Sequence, residues 1–261
     1  MKEYISSKNN EKIKTVRKLA DKKYRQEYGL FVIEGYKLFG EYLGGGFVPE
    51  RIFVTEEAER KYSHLLSLSD KSDICVLPKD LYQHISSEQA PQGILAVCPI
   101  PDKRGRVSDG SVIMLESVRD AGNLGTVIRT AAALGIDNIL ISSDCADLYN
   151  TKTLRASMGA IFRANICISD DLVDSVKNLQ KQGRRVYAAM PSQTAVDIRK
   201  LALAKNDCIV VGNEGHGISD ELSECCDGCV TIPMVAGAES LNASIAASVL
   251  MWELVRGFWD V

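Results

Sequence analysis

No stretch of the 261-residue chain approaches the roughly 20 consecutive apolar residues that a membrane-spanning helix needs. The opening MKEYISSKNNEKIK has no apolar segment behind its charges, as a secretory signal would. A cytoplasmic protein without a membrane partner is expected. Histidine is scarce: His64, His84 and His216 are the only three, and none is spaced to pair with another. Cys226-Asp-Gly-Cys229 has the spacing of half a zinc site, but tetrahedral zinc needs a second ligand pair, so no metal is expected. The eight cysteines are then reduced, mostly buried thiols. The Gly-x-Gly-x-x-Gly of dinucleotide-binding folds is also missing. Gly122 and Gly125 have the wrong spacing, although Asp144 follows the next strand where a ribose-binding acid would stand. A nicotinamide-dependent oxidoreductase is disfavoured on that ground. There is no internal repeat and no low-complexity tract.

What is present is an ordinary globular composition, 46% apolar and 25% charged, in a chain long enough for two domains. The net charge of −3 conceals an asymmetry. Lys8, Lys12, Lys14, Arg17, Lys22, Lys23 and Arg25, with Lys2 and Lys18, outnumber the acids of the first thirty residues. This is a candidate footprint for a polyanion, with a solvated helix face as the alternative. Ile13, Val16, Leu19 and Ala20 fall at helical spacing within 9–25, followed by apolar strands and amphipathic segments to residue 98. These form a small α/β domain over 1–100. Pro99, Pro101 and Lys103 to Gly105 break the pattern, and a second domain spans 106–261. There, apolar strands alternate with helices starting near Thr126, Thr151 and Asp171, which predicts an open parallel sheet covered on both faces.

Ligands of such sheets gather in the loops that follow strands. Three of these loops are unusual. Residues 119–129 lead into an alanine-rich helix that places Arg129 on its buried side, where it needs either a structural carboxylate or a ligand phosphate. Residues 211–218 surround Glu214 with three glycines, which lets backbone approach a ligand. His216 among them points to solvent. Ile232-Pro233-Met234 ends a strand, since proline cannot continue the ladder. The helix after it carries Leu241, Ile245, Val249 and Trp252 at core spacing. Small residues such as Ala243, Ser244 and Ala247 cover the rest, admitting a ligand, a crossing loop or a second subunit.

As an ordered set, Asn123-Leu-Gly125-Thr-Val-Ile-Arg129, Val211-Gly-Asn-Glu214-Gly-His-Gly217 and Ile232-Pro-Met with Ser240-Leu-Asn242 resemble the motifs of the SpoU family. That family, within the SPOUT superfamily, comprises RNA ribose 2′-O-methyltransferases that use S-adenosylmethionine. Ile5-Ser-Ser, Phe31-Val-Ile-Glu34-Gly35 and Pro91-Gln-Gly-Ile resemble its small, ribosomal-protein-like RNA-binding domain. The resemblance covers nearly the whole chain. It implies an α/β SPOUT domain with a deep trefoil knot, an exception to the rule against threaded chains, and a homodimer. It further implies that Gly212, Ile232, Met234 and Leu241 bind S-adenosylmethionine. The substrate it implies is RNA, large-subunit ribosomal RNA in preference to transfer RNA, with a non-catalytic RNA-binding protein as the rival.

In that family the arginine matching Arg129 is the residue proposed to activate the ribose hydroxyl. A guanidinium with a pKa above about 12 rarely yields its proton. Arg129 is therefore expected to grip the neighbouring phosphate, with Asn123, Glu214, Ser240 and Asn242 fixing the geometry. The sequence departs from the family where Ala121 and Asn165 replace frequent prolines and Ala236 a usual glycine, Gly237 standing one residue later. These departures bear on loop shape.

Overall fold

The structure, a computed structural model, describes residues 2–69, 71–102, 106–136, 138–192, 194–235 and 240–258. Lys103 to Gly105, Ala236, Gly237 and Trp259 lie outside the described residues. The chain divides into two units, Met1–Pro101 with Tyr149–Phe162, and Asp102–Leu148 with Arg163–Val261. The sequence-based boundary puts 149–162 in the second domain. The structure groups them with the first.

Unit 1 is a five-stranded sheet ordered β1 (Lys2–Tyr4), β4 (Asp73–Leu77), β3 (Arg51–Thr55), β5 (Ile94–Pro99) and β2 (Leu30–Glu34). The strands β1, β4 and β3 run parallel, while β5 is antiparallel to both of its neighbours. Helices α3 (Tyr36–Gly44), α4 (Glu56–Lys61), α5 (Ser63–Ser67), α6 (Lys79–Ile85) and α8 (Thr151–Ser157) belong to it. The single helical stretch expected near the N-terminus is broken into α1 (Glu11–Lys18) and α2 (Lys22–Tyr28). Two interactions make the break. The Asp21 carboxylate accepts from the Lys23 amide at 2.9 Å and starts α2. The Arg25 guanidinium donates to the carbonyls of Leu19 at 2.7 Å and Ala20 at 2.8 Å, satisfying the end of α1. Ile13, Val16 and Leu19 then join Phe53, Leu81 and Leu95 in the core. Tyr149 and Phe162 are held in this unit by rings. Tyr149 lies 4.5 Å from Phe31 between centroids, and Phe162 meets Tyr42 edge-on at 5.1 Å.

Unit 2 is a seven-stranded, wholly parallel sheet. Its order is β10 (Val196–Asp197), β12 (Gly228–Thr231), β9 (Val186–Ala189), β11 (Cys208–Val211), β6 (Val112–Leu115), β7 (Asn138–Ser142) and β8 (Asn165–Ser169). The helices are α7 (Ala121–Ala133), α9 (Leu172–Lys181), α10 (Asp220–Cys225) and α11 (Ala243–Val255). Val112, Met114 and Val210 pack with Val176 of α9 and Leu222 of α10. The alternating Ile113, Leu115 and Ile209 are buried too, and α11 packs on β11 and α7, so both faces are covered as expected. The helix α7 begins at Ala121 rather than Thr126, because Asp120 accepts from the Asn123 amide at 2.8 Å and caps it ahead of the glycines. The chain leaves β6 toward β7 and leaves β11 toward β12, on opposite sides. The topological switch point, where ligands of such sheets bind, thus lies beyond β6 and β11.

Two of the sequence departures have local explanations. Ala121 is the first residue of α7, where proline is favoured but alanine serves. Asn165 donates its amide to the Arg106 carbonyl and to Asn138 Oδ1, both at 3.0 Å, bonds a proline could not make. All eight cysteines are free thiols, five of them buried.

Candidate active site of the parallel sheet

The loops after β6 and β11 and the start of α11 converge on one side chain. Asn242 spends its oxygen capping α11, accepting from the Ser244 amide at 2.9 Å. Its Nδ2 therefore faces outward and donates to Asn123 Oδ1 at 3.1 Å. That leaves Asn123 Nδ2 to donate to Glu214 Oε1 at 3.0 Å. The carboxylate also accepts from the backbone amides of Arg119 at 3.2 Å and Asp120 at 3.3 Å. Burial pushes the Glu214 carboxyl up, but the Asn123 amide and the backbone amides outweigh it and hold it below the ordinary carboxylate range. An ionised carboxylate with this many donors is an anchor and a poor base.

Next to it, Asn213 fixes the glycine loop. Its Nδ2 donates to the Ser117 carbonyl at 2.7 Å, and its Oδ1 accepts from the amides of Gly215 at 2.8 Å and His216 at 3.1 Å. His216 is exposed, as expected. Gly212 is required by this fold of the loop: a Cβ there would lie 2.2 Å from the backbone of Gly217. Ser117, with φ of 54°, is strained into the left-handed region. It donates its hydroxyl to Asp144 at 2.6 Å, and Arg119 donates to the same oxygen at 2.7 Å. The Ser117 and Ser142 hydroxyls, with Arg119 nearby, hold the Asp144 carboxyl below its usual value. Asp144 is consumed by this contact.

A cleft of about 340 Å³ opens over these strand ends. All four residues expected to bind a cofactor, Gly212, Ile232, Met234 and Leu241, line it, together with Glu214 and Ser240. Asn123 stands one hydrogen bond behind that rim, on Glu214, and Asn242 one further, on Asn123. Ala243 and Ala246, among the small residues of α11 expected to admit a ligand, line it too, as do Met190 and Pro191 after β9, which sequence reasoning did not single out. The available signal for Met190 and Pro191 was their place after a parallel strand. The apolar walls, small side chains and exposed backbone edges suit an amphipathic nucleoside such as S-adenosylmethionine.

Arg129 stands apart. The buried face of α7 is Leu124, Gly125, Val127, Ile128 and Ala131, and Arg129 is exposed, which corrects its assignment to the buried side. It makes no ion pair or hydrogen bond among the described residues, and no carboxylate among them is the structural partner allowed for in the sequence. The helix α11 shows the reverse error. Its core face is Ala247, Leu250, Met251, Leu254 and Val255, whereas Leu241, which precedes the helix, and Ile245, Val249 and Trp252, all expected in the core, are 39%, 54%, 37% and 46% exposed.

Residues 110–252 match the SpoU rRNA Methylase family, and residues 10–96 match the MRM3-like substrate binding domain. The chain belongs to the SpoU rRNA Methylase family. It is 32% identical, over 96% of its length and 98% of the relative's, to the 23S rRNA (guanosine(2553)-2′-O)-methyltransferase of Bacillus subtilis. It is 29% identical to the mitochondrial rRNA methyltransferase 3A of Danio rerio, over 88% of this chain and 64% of that one. The AdoMet-bound rRNA methyltransferase of Sinorhizobium meliloti has the same architecture, with a TM-score of 0.87 at 25% identity over 99% of each chain. This SpoU-family chain is an S-adenosylmethionine-dependent RNA methyltransferase.

Within the substrate-binding domain of this SpoU chain, the basic residues divide. Lys8, Lys22 and Lys23 are exposed, and Arg17 lies at the surface with one Nη 3.2 Å from the His84 ring. Partial burial and then the charges of Arg17 and Lys8 lower the His84 pKa. Lys14 pairs with Glu11 at 2.6 Å, and Lys12 pairs with Glu3. Arg25 is 5% exposed and spent on the α1 carbonyls, so it is removed from the RNA-facing set. Among the described residues no helix is long and apolar enough to cross a membrane, and no cluster suits a metal ion.

Proposed function

We propose that this enzyme methylates the 2′-hydroxyl of a ribose in large-subunit ribosomal RNA. The observation that carries the reading is the bonded chain Glu214–Asn123–Asn242, which ties all three motif loops together at the rim of the cleft. The named activity of the Bacillus subtilis relative, similar over nearly both full lengths, supports the substrate. When bound, S-adenosylmethionine supplies a methyl group on a sulfonium, which a ribose oxygen can attack. The backbone at Gly212 and Ile232 and the side chains of Met234 and Leu241 hold it, and the apolar walls exclude water from it. Ser240 at the rim and the Asn123–Asn242 pair set the height and angle of the ribose. Arg129, exposed and without a partner among the described residues, binds the adjacent phosphate, and its charge eases loss of the hydroxyl proton to water.

The same reading includes a homodimer formed through the exposed Ile245, Val249 and Trp252 of α11, since an exposed apolar patch of this kind marks an interface. It includes a trefoil knot, supported by the insertion of β11 between β9 and β6 with α11 against β11 and α7. It also includes cytoplasmic action on the ribosomal substrate. Mapping 2′-O-methyl sites in ribosomal and transfer RNA from cells with and without the gene tests the substrate. One site in large-subunit RNA should disappear. A site lost from transfer RNA, or none lost from either, overturns the assignment.

A further inference from the structure

Two short motifs of the substrate-binding domain, Glu34-Gly35 and Pro91-Gln92-Gly93, take no part in the cleft described above, yet they meet in unit 1. At the end of β2, Glu34 accepts from the Tyr82 hydroxyl at 3.3 Å, from Ser86 Oγ at 2.5 Å, and from the amide and hydroxyl of Ser87 at 2.9 and 3.1 Å. These bonds hold the stretch after α6 against the end of β2. Gly35 has φ of +94°, and a Cβ there would fall 3.1 Å from Gln92 Oε1. That oxygen accepts from the backbone amide of Tyr36 at 2.8 Å. The Gln92 carboxamide is thereby oriented, with its oxygen turned to the backbone. Its Nε2 has no protein partner among the described residues, and the residue is exposed.

Tyr36, so anchored, lays its ring on Tyr62 with centroids 5.4 Å apart and planes within 6°. Tyr62 is 6% exposed and Tyr36 is 37% exposed. A buried ring thus backs a solvent-facing one, which is a stiff aromatic surface costing little entropy to use. Tyr36 and Gln92 both lie on the two clefts that meet there. Lys37 and Arg155 line one cleft with Glu34, Glu41 and Glu88, the last paired to Arg155 at 2.6 Å, and Arg60, Lys61 and Lys79 line the other with Glu56 and Glu57. With charge so mixed, stacking and a fixed amide must carry recognition here. A paired base has both faces covered, whereas an unpaired one offers a π-face to an aromatic side chain and its edge to a donor.

We propose that Tyr36, backed by Tyr62, is a stacking platform for one unpaired nucleobase of the RNA, with Gln92 Nε2 donating to an acceptor of the same nucleotide. This rests on the reading of the chain as an enzyme that binds RNA. The test uses the full-length chain and a fluorescein-labelled single-stranded RNA of about 12 nucleotides, followed by anisotropy over a series of salt concentrations. Tyr36→Ala should weaken binding about tenfold, Tyr36→Phe should stay within about twofold of wild type, and Gln92→Ala should weaken it about threefold. The slope of affinity against salt should be unchanged in all three, because no phosphate contact is lost. A 4-thiouridine version of the RNA should crosslink to Tyr36. Wild-type affinity in Tyr36→Ala, a changed salt slope, or tighter binding of the same sequence as a duplex would overturn the platform. If Tyr36→Ala lowers the melting temperature, Gln92→Ala and the crosslink decide. Wild-type protein that binds S-adenosylmethionine but no RNA would overturn the RNA reading itself, and the platform with it.

Discussion

Arg129 shows how one residue's position decides its chemistry. Its motif spacing was visible in the sequence, but its side of the helix was not. The three alanines after it suggest burial, while the buried stripe is set by Leu124, Val127, Ile128 and Ala131. An exposed cation with no partner among the described residues is placed to hold a phosphate. Arg129→Ala should therefore lower methyl transfer about 100-fold or more and leave S-adenosylmethionine affinity near wild type by calorimetry. Near-normal turnover would remove Arg129 from the mechanism. Glu214 permits a second prediction, with its sign fixed by linkage. Its folded pKa lies below the unfolded value of about 4.3. The stability it contributes is thus full above that value and is lost as the pH falls through the lower folded value. Acidification should lower the melting temperature of wild type more steeply than that of Glu214→Gln, and parallel pH curves would show that the anchor contributes nothing. The role of Gly212 was half legible. Its need for a bare backbone was visible, but the group that approaches it most closely is Gly217.

At the scale of elements, strands were legible and helix faces were not. The apolar runs 112–115 and 186–189 coincide with β6 and β9 because a strand buried on both faces needs no phase. The helix α11 is apolar nearly all round, so periodicity could not say which stripe faces inward. The sheet decided it: Ala247 and Met251, both 0% exposed, are the contact face, and Ile245 and Val249 are left outside. Helix α7 likewise starts five residues early because an aspartate cap outweighs two glycines. Opposite substitutions on α11 should therefore separate. Ala243→Leu, on the cleft side, should weaken S-adenosylmethionine binding about tenfold by overpacking. Ile245→Lys with Val249→Lys should leave the melting temperature of a monomer intact and shift sedimentation from dimer to monomer. An unchanged dimer in the lysine variant would place the interface elsewhere.

At the scale of the whole chain, the alternation of strands and helices predicted both α/β architectures, yet it could not show that 149–162 belongs with the first hundred residues. Nothing in the local pattern distinguishes α8 from the other helices of the second half. The assignment is made by contacts distant in sequence, Phe31 with Tyr149 and Tyr42 with Phe162, which form only when the chain is folded. The sequence boundary near residue 100 is therefore a boundary of chain direction more than of packing. Phe162 is 6% exposed and packs also against Phe31 at 6.4 Å and Phe47 at 6.2 Å, so its removal leaves a cavity among three rings of unit 1. Phe162→Ala should cost about 3–5 kcal/mol. The loss should fall on unit 1 although the residue lies between two strands of unit 2 in sequence. Hydrogen exchange should quicken in β2 and α3, which carry Phe31 and Tyr42, and stay slow in β6 and β11. Faster exchange confined to the parallel sheet would show that 149–162 serves the second unit instead of the first.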